Sequence, residues 1–131
     1  RILEQSPEVM QEVSTLVIQA QSDLYEVRKM IHKIGFFIEN EKFCMDAGKP
    51  YLVMRAVRGE EKTPYEPAEY EYGRLLPEVS DTAYRKFLLD ERDKKMKLQE
   101  TLNMQKTSGA GARVEELTEE ITGLNWILNK F

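Results

Sequence analysis

Apolar side chains recur along the first third of the chain at spacings of three and four: Val9, Val13, Leu16, Ala20, Leu24, Val27, Ile31, Ile34 and Ile38. No proline interrupts residues 8–49. That period predicts one amphipathic helix over residues 1–47. Ser6, Pro7 and Glu8 suit its N-cap, its first helical position and a first turn whose dipole favours an anion. Asp46-Ala47-Gly48-Lys49-Pro50 reads as its end, with glycine at C′ and proline two residues later. At ~1.5 Å per residue the helix is a rod of roughly 60 Å. The stripe is narrow in its first half, like a coiled-coil seam. From Leu24 it widens with Tyr25, Met30, Phe36, Phe37 and Phe43, which takes more than one neighbouring helix to cover. Gly35 reads as a mid-helix glycine, costing about 1 kcal/mol relative to alanine, at a close crossing, a bend or a tolerant surface position.

Residues 48–79 break the helical period and read as an extended loop. Within it, residues 51–57 (Tyr51-Leu52-Val53-Met54-Arg55-Ala56-Val57) form a candidate strand, rich in β-formers and bounded by Pro50 and Gly59. No second strand of equal quality follows, so it pairs with another chain or with a poorer segment such as 69–75, or is not a strand. Pro64, Pro67, Gly73 and Pro77 then punctuate a glutamate-rich loop. A second helix spans residues 80–106. Tyr84, Phe87, Leu88 and Leu89 are apolar at its front, and Leu98, Leu102 and Met104 resume the signal after a charged middle. Such a helix packs at both ends and is solvated between. Residues 107–112 (Thr-Ser-Gly-Ala-Gly-Ala) read as a flexible linker, natural or a join between two pieces. Residues 113–131 form a short amphipathic helix with Val114, Leu117, Ile121, Leu124, Leu128 and Phe131 on one stripe. Trp126 and Ile127 widen that face. The expected fold is mainly α: long helices around an irregular segment with at most one short strand or hairpin, in an elongated coiled-coil or helical-bundle assembly.

Composition narrows the chemistry. The chain has 131 residues, net charge −4, one Cys and one His. A single Cys44 excludes an internal disulfide framework and Cys-based zinc, and points to a reducing compartment. No apolar run approaches the ~20 residues of a membrane span, and no signal peptide opens the chain. It begins at Arg1 and reads as an excised fragment. Only residues 80–106 are net basic, at +2. Their Arg92, Lys94, Lys95 and Lys97 are interleaved with acids and lack aromatic neighbours, which argues against nucleic acid or membrane as partner.

Catalytic patterns are missing. His32 lies among Arg28, Lys29 and Lys33 with no nucleophile placed beside it, and reads as a surface histidine. Cys44, between Phe43 and Met45, reads as a small buried apolar residue. No phosphate-binding glycine loop occurs. Glu115, Glu116, Glu119 and Glu120 read as a solvated face, and no metal or cofactor is expected. Tyr65, Tyr70 and Tyr72 sit among glutamates, with Tyr72-Gly73-Arg74-Leu75 as a short Tyr-x-x-Leu form. They are either a docking loop or rings that staple the loop to the helices; stapling is favoured.

The function that follows is a non-enzymatic coiled-coil assembly subunit: a scaffold, tether or adaptor, intracellular and either cytoplasmic or nuclear. Its partner is a protein, a second copy or another helical subunit. The expected interface is Val13, Leu16, Ala20, Leu24, Val27, Ile31, Ile34 and Ile38, then Val114, Leu117, Ile121, Leu124, Leu128 and Phe131. A second reading, resting on outline alone, is a prefoldin-like helical chaperone or adaptor subunit.

Overall fold

The computed structural model describes residues 14–105 and 108–131. Its elements are β1 (Thr15–Ala20), α1 (Leu24–Lys33), β2 (Phe36–Asp46), β3 (Lys49–Arg58), α2 (Pro67–Tyr72), α3 (Leu75–Glu78), α4 (Thr82–Gln105) and α5 (Ser108–Leu128). They fall into two compact units, residues 1–64 and residues 65–131. The expected N-terminal cap at Ser6, Pro7 and Glu8, with Val9 and Val13, lies outside the described residues.

The first unit is an open sheet with strand order β1-β3-β2. β3 is antiparallel to both neighbours, so β1 and β2 run parallel, joined through α1. Leu52, Met54 and Ala56 of β3 lie on one face with Phe36, Ile38 and Phe43 of β2, all buried, together with Ile31 of α1. Register places Leu16, Ile18 and Ala20 of β1 opposite Ala56, Met54 and Leu52, on that same face. The other face carries Val17, Gln19, Tyr51, Val53, Arg55 and Lys42, and Val17 is 71% exposed.

The long helix over 1–47 and the elongated coiled coil are therefore corrected. Leu16 and Ala20 belong to β1; Leu24, Val27 and Ile31 to α1; Ile34 caps α1; and Ile38 belongs to β2. Three local features account for the difference. Thr15, Val17 and Ile18 are β-branched and favour a strand, but the stripe spacing ran through them. Gly35 has φ +85 and follows the Ile34 cap, so it ends a helix; its N–H donates to His32 O at 3.1 Å. A β-bulge between Ile38 and Asn40 shifts the alternation of β2. Its inward residues are Phe36, Ile38, Glu41 and Phe43, spaced two, three and two, which erases the strand period.

The supposed helix end at residues 46–50 is a hairpin turn. Asp46 pairs with Lys49, and both Ala47 (φ 51) and Gly48 (φ 78) are left-handed, as a type I′ turn requires. The strand expected over 51–57 thus lies inside β3, at the centre of a sheet. Gly59 is needed where the chain leaves it, because a Cβ there would stand 3.1 Å from the Phe37 ring.

In the second unit α4 and α5 form an antiparallel helical hairpin. Arg92 donates to Asn125 at 2.8 Å, Lys95 to Glu120 at 2.8 Å and Gln99 to Thr118 at 2.7 Å, so one number rises as the other falls. The charged middle of α4 is therefore not solvated all round. Its long stems lie along α5 while their polar ends bond to it. Leu76, Tyr84, Leu88, Leu117, Leu124 and Ile127 are at most 2% exposed and make the core. Residues 108–112, expected as linker, form the first turn of α5. Residues 67–78, expected as loop, hold α2 and α3. No helix among the described residues is long and apolar enough to cross a membrane.

Candidate functional site

In open sheets with parallel strands, ligands settle beyond the strands' carboxyl ends. Here those ends are Ala20 of β1 and Asp46 of β2. Beyond Ala20 the chain turns into α1 through Gln21, Ser22 and Asp23, all exposed. Asp23 is left-handed at φ 56, and its carbonyl accepts the Val27 N–H at 2.9 Å while its side chain makes no cap bond. Beyond Asp46 lies the hairpin tip, where Met45 is 56% exposed. Cys44 faces Tyr51 across the ladder, and it pushes the Tyr51 hydroxyl up, followed by burial and by Asp46. This rim offers hydrogen-bonding side chains and one aromatic ring. It carries no acid–base pair, and His32 sits at the opposite end of α1. Among the described residues no group of three His, Cys, Asp or Glu is placed to hold a metal.

The interior polar chemistry of this unit went unread in the sequence. Arg28 and Glu41 are both buried. Arg28 Nε and Nη2 donate to Glu41 Oε1 at 3.2 and 2.6 Å. Glu41 Oε2 has no hydrogen-bond partner among the described residues. His32, expected as a surface histidine, shares a 3.0 Å hydrogen bond with Glu61 Oε2, and the Ile38 N–H donates to the same oxygen at 3.3 Å. A signal for Arg28 existed: it falls on the same α1 face as Leu24 and Ile31.

Of the residues expected at a subunit interface, Ile31, Ile38, Leu117 and Leu124 are buried by their own chain, and the other described ones keep part of their surface exposed. Leu16, Ala20 and Ile38 share one face of the sheet with buried Ile31 of α1, Leu24, Val27 and Ile34 are half-buried, and Val13 lies outside the described residues. Leu117 and Leu124 are fully buried, and Val114, Ile121, Leu128 and Phe131 are half-buried. The Phe131 ring lies 6.3 Å from that of Tyr84. These residues needed a second helix, and α4 of the same chain provides it.

The tyrosine segment is also part of the second unit's packing. Tyr65 is 8% exposed, with the Arg74 guanidinium 4.2 Å above its ring and Tyr70 5.2 Å away. Arg74 binds Glu69 through two bonds, at 2.7 and 3.0 Å. Burial pushes the Glu69 carboxyl up, but the Arg74 bonds and the Glu66 N–H outweigh it and hold the group below its ordinary range. Tyr72 lies beside Gly123, and its carbonyl accepts the Tyr84 hydroxyl at 2.8 Å. Burial, then Glu71, Glu120 and Glu91, drive the Tyr72 hydroxyl far up. Glu120 is bound by Lys95 and Arg113 at 2.8 and 2.9 Å. Burial raises its carboxyl, and those two cations bring it below the usual range.

Known proteins share this arrangement. The family model described as TrmK: tRNA (adenine(22)-N(1))-methyltransferase matches residues 1–125. A Listeria monocytogenes serotype 4b protein of uncharacterised role superposes with TM-score 0.88 at 18% identity, over 97% of this chain and 56% of its own. A Streptococcus agalactiae protein of the NADB-Rossmann superfamily gives 0.78 at 22%, over 97% and 53%. The M. capricolum TrmK structure, solved with S-adenosyl-homocysteine, gives 0.75 at 18%, over 98% and 55%. These likenesses show that the fold described above recurs in those structures, and the chain spans a little over half the length of each. A comparison with curated proteins finds no match.

Proposed function

Because this chain belongs to the TrmK tRNA (adenine(22)-N(1))-methyltransferase family, which matches residues 1–125, we propose that it serves an enzyme methylating N1 of an adenine in tRNA. The membership overturns the non-enzymatic scaffold, the prefoldin-like alternative and the expectation of a solely protein partner. It also overturns the argument against nucleic acid. That argument rested on the interleaving of Arg92, Lys94, Lys95 and Lys97 with acids and their lack of aromatic neighbours, whereas this chain spans only part of its relatives and the rest of their length also bears on RNA binding. The proposed substrate is tRNA and the proposed setting the cytoplasm.

The M. capricolum relative holds S-adenosyl-homocysteine, so S-adenosyl-methionine is the proposed methyl donor. The described residues do not fit that cofactor by themselves. The β1–α1 turn, Gln21-Ser22-Asp23, has no glycine to bring backbone close to a ligand, and no buried acid stands at the carboxyl ends of β1 or β2 to meet ribose hydroxyls. We therefore assign this chain the antiparallel border of the sheet and the helical hairpin. Cofactor-holding residues are to be sought outside the described residues.

The observation carrying this reading is the family match across nearly the whole chain. Its test is methyl transfer from labelled S-adenosyl-methionine to unmodified tRNA by the polypeptide that carries residues 1–131. Digestion of the product should yield labelled N1-methyladenosine. Label on another nucleoside, or none, would overturn the assignment.

A further inference from the structure

We propose that two carboxylates, Glu41 and Glu61, lock the register of β2 by gripping it on either side of its bulge. This goes beyond the methyltransferase reading and does not depend on it.

The lock starts on α1. Arg28 and His32 are one helical turn apart and share a face. The bulge falls between Ile38 and Asn40. After it, Arg28 holds Glu41 Oε1 at 3.2 and 2.6 Å, with both side chains fully buried. Before it, Glu61 Oε2 takes the Ile38 N–H at 3.3 Å and pairs with His32 at 3.0 Å. The bulge is thus tied to one helix face from both ends.

The Ala47-Gly48 turn sets the register at the hairpin tip, and the lock acts at the far side of the bulge, where apolar patterning adds little. Beyond the bulge the inward residues are Glu41 and Phe43, followed by Met45 at the exposed tip. A slip of one residue would send Asn40, Lys42 and Cys44 inward instead. Beyond the bulge only Phe43 among the apolar residues strongly favours the native choice, so the buried charge pair adds to the discrimination that the turn supplies. In the slipped state Arg28 would lose its acid, and Lys42 would face Leu52 and Met54 without a partner. The register also decides which groups reach the open face, where Lys42 is opposite Val53 and Cys44 opposite Tyr51.

Cys44 is the chain's only cysteine and reports this directly. Its half-buried thiol should react with a disulfide reagent in one phase in the native chain. Glu61→Ala should raise amide exchange at Ile38 by about tenfold, as loss of one hydrogen bond implies, and leave Leu52 and Met54 unchanged. Combining Glu61→Ala with Arg28→Met and Glu41→Leu removes both grips without leaving a lone buried charge. That variant should show two phases of Cys44 labelling and doubled amide resonances over residues 39–45. Single-phase labelling with one set of resonances in a folded combined variant would overturn the lock. If the combined variant does not fold, unchanged Ile38 exchange in Glu61→Ala overturns it alone.

Discussion

Replacing Leu117 by alanine tests whether the α5 stripe is core or interface. Leu117 is fully buried by its own chain, and flanking bonds from Gln99 and Lys95 fix it in the α4–α5 seam. Truncating a buried leucine costs about 2–5 kcal/mol, from lost transfer energy and the remaining cavity. In a unit of this size each kcal/mol lowers Tm by about 4–8 °C, so a loss of about 3 kcal/mol lowers it by about 12–24 °C. Trp126 is the chain's only tryptophan and lies on α5 under the Lys130 ammonium, 4.5 Å from its ring. Its fluorescence therefore reports the second unit selectively during a thermal melt. The fall in Tm should be the same at every protein concentration, because the stripe is covered within one chain. Glu119→Ala, on the exposed side, should move Tm by no more than the equivalent of about 0.5 kcal/mol. A native-like melt for Leu117→Ala, or a Tm that rises with concentration, would refute the intramolecular hairpin.

Tyr84→Phe removes the hydroxyl bonded to Tyr72 O and should destabilise the second unit by about 1 kcal/mol, read from the same fluorescence in urea. Gly35→Ala meets no atom within 4 Å, so its cost is conformational, about 1 kcal/mol for φ +85, seen as a lower urea midpoint by circular dichroism. Glu69 and Glu120 are held below their ordinary range when folded, so their stabilisation is complete above the unfolded value near ~4.3 and lost as pH falls through the depressed folded one. Melts of the second unit between about pH 6 and 3 should decline accordingly, and Glu120→Gln should flatten the decline; an unchanged slope would remove Glu120 from that linkage.

The second unit was more legible in sequence than the first. Leu117 and Leu124 repeat at a seven-residue interval that survives folding, and the apolar front of α4 marks Tyr84 and Leu88. The charged middle of α4 hid its packing, since Arg92, Lys95 and Gln99 reach α5 through polar ends that a hydrophobicity pattern does not score. In the first unit, the spacing from Leu16 to Ile38 looked helical because a strand contributed two apolar residues, a helix three, its cap one and a bulged strand one, in sequence. Gly35 and the Ala47-Gly48 pair marked the true boundaries, as left-handed positions. Read as a helix interior and a helix end, they lost that meaning. Arg28 and Glu41 were invisible as a pair because 13 residues and the bulge separate them.

The candidate rim past β1 and β2 had no comparable sequence signal. The loops past β1 and β2 contain Gln21, Ser22, Asp23 and the hairpin tip, which are ordinary turn residues. Family membership came from similarity distributed over residues 1–125, not from any cluster of reactive side chains.

The most direct measurement is reverse-transcription mapping of cellular tRNA with and without the gene encoding this chain. An N1-methyl group blocks Watson–Crick pairing and stops the polymerase. A stop at nucleotide 22 should disappear when the gene is lost and return when it is restored. A stop that persists after loss of the gene would contradict the assignment of this chain to adenine-22 methylation.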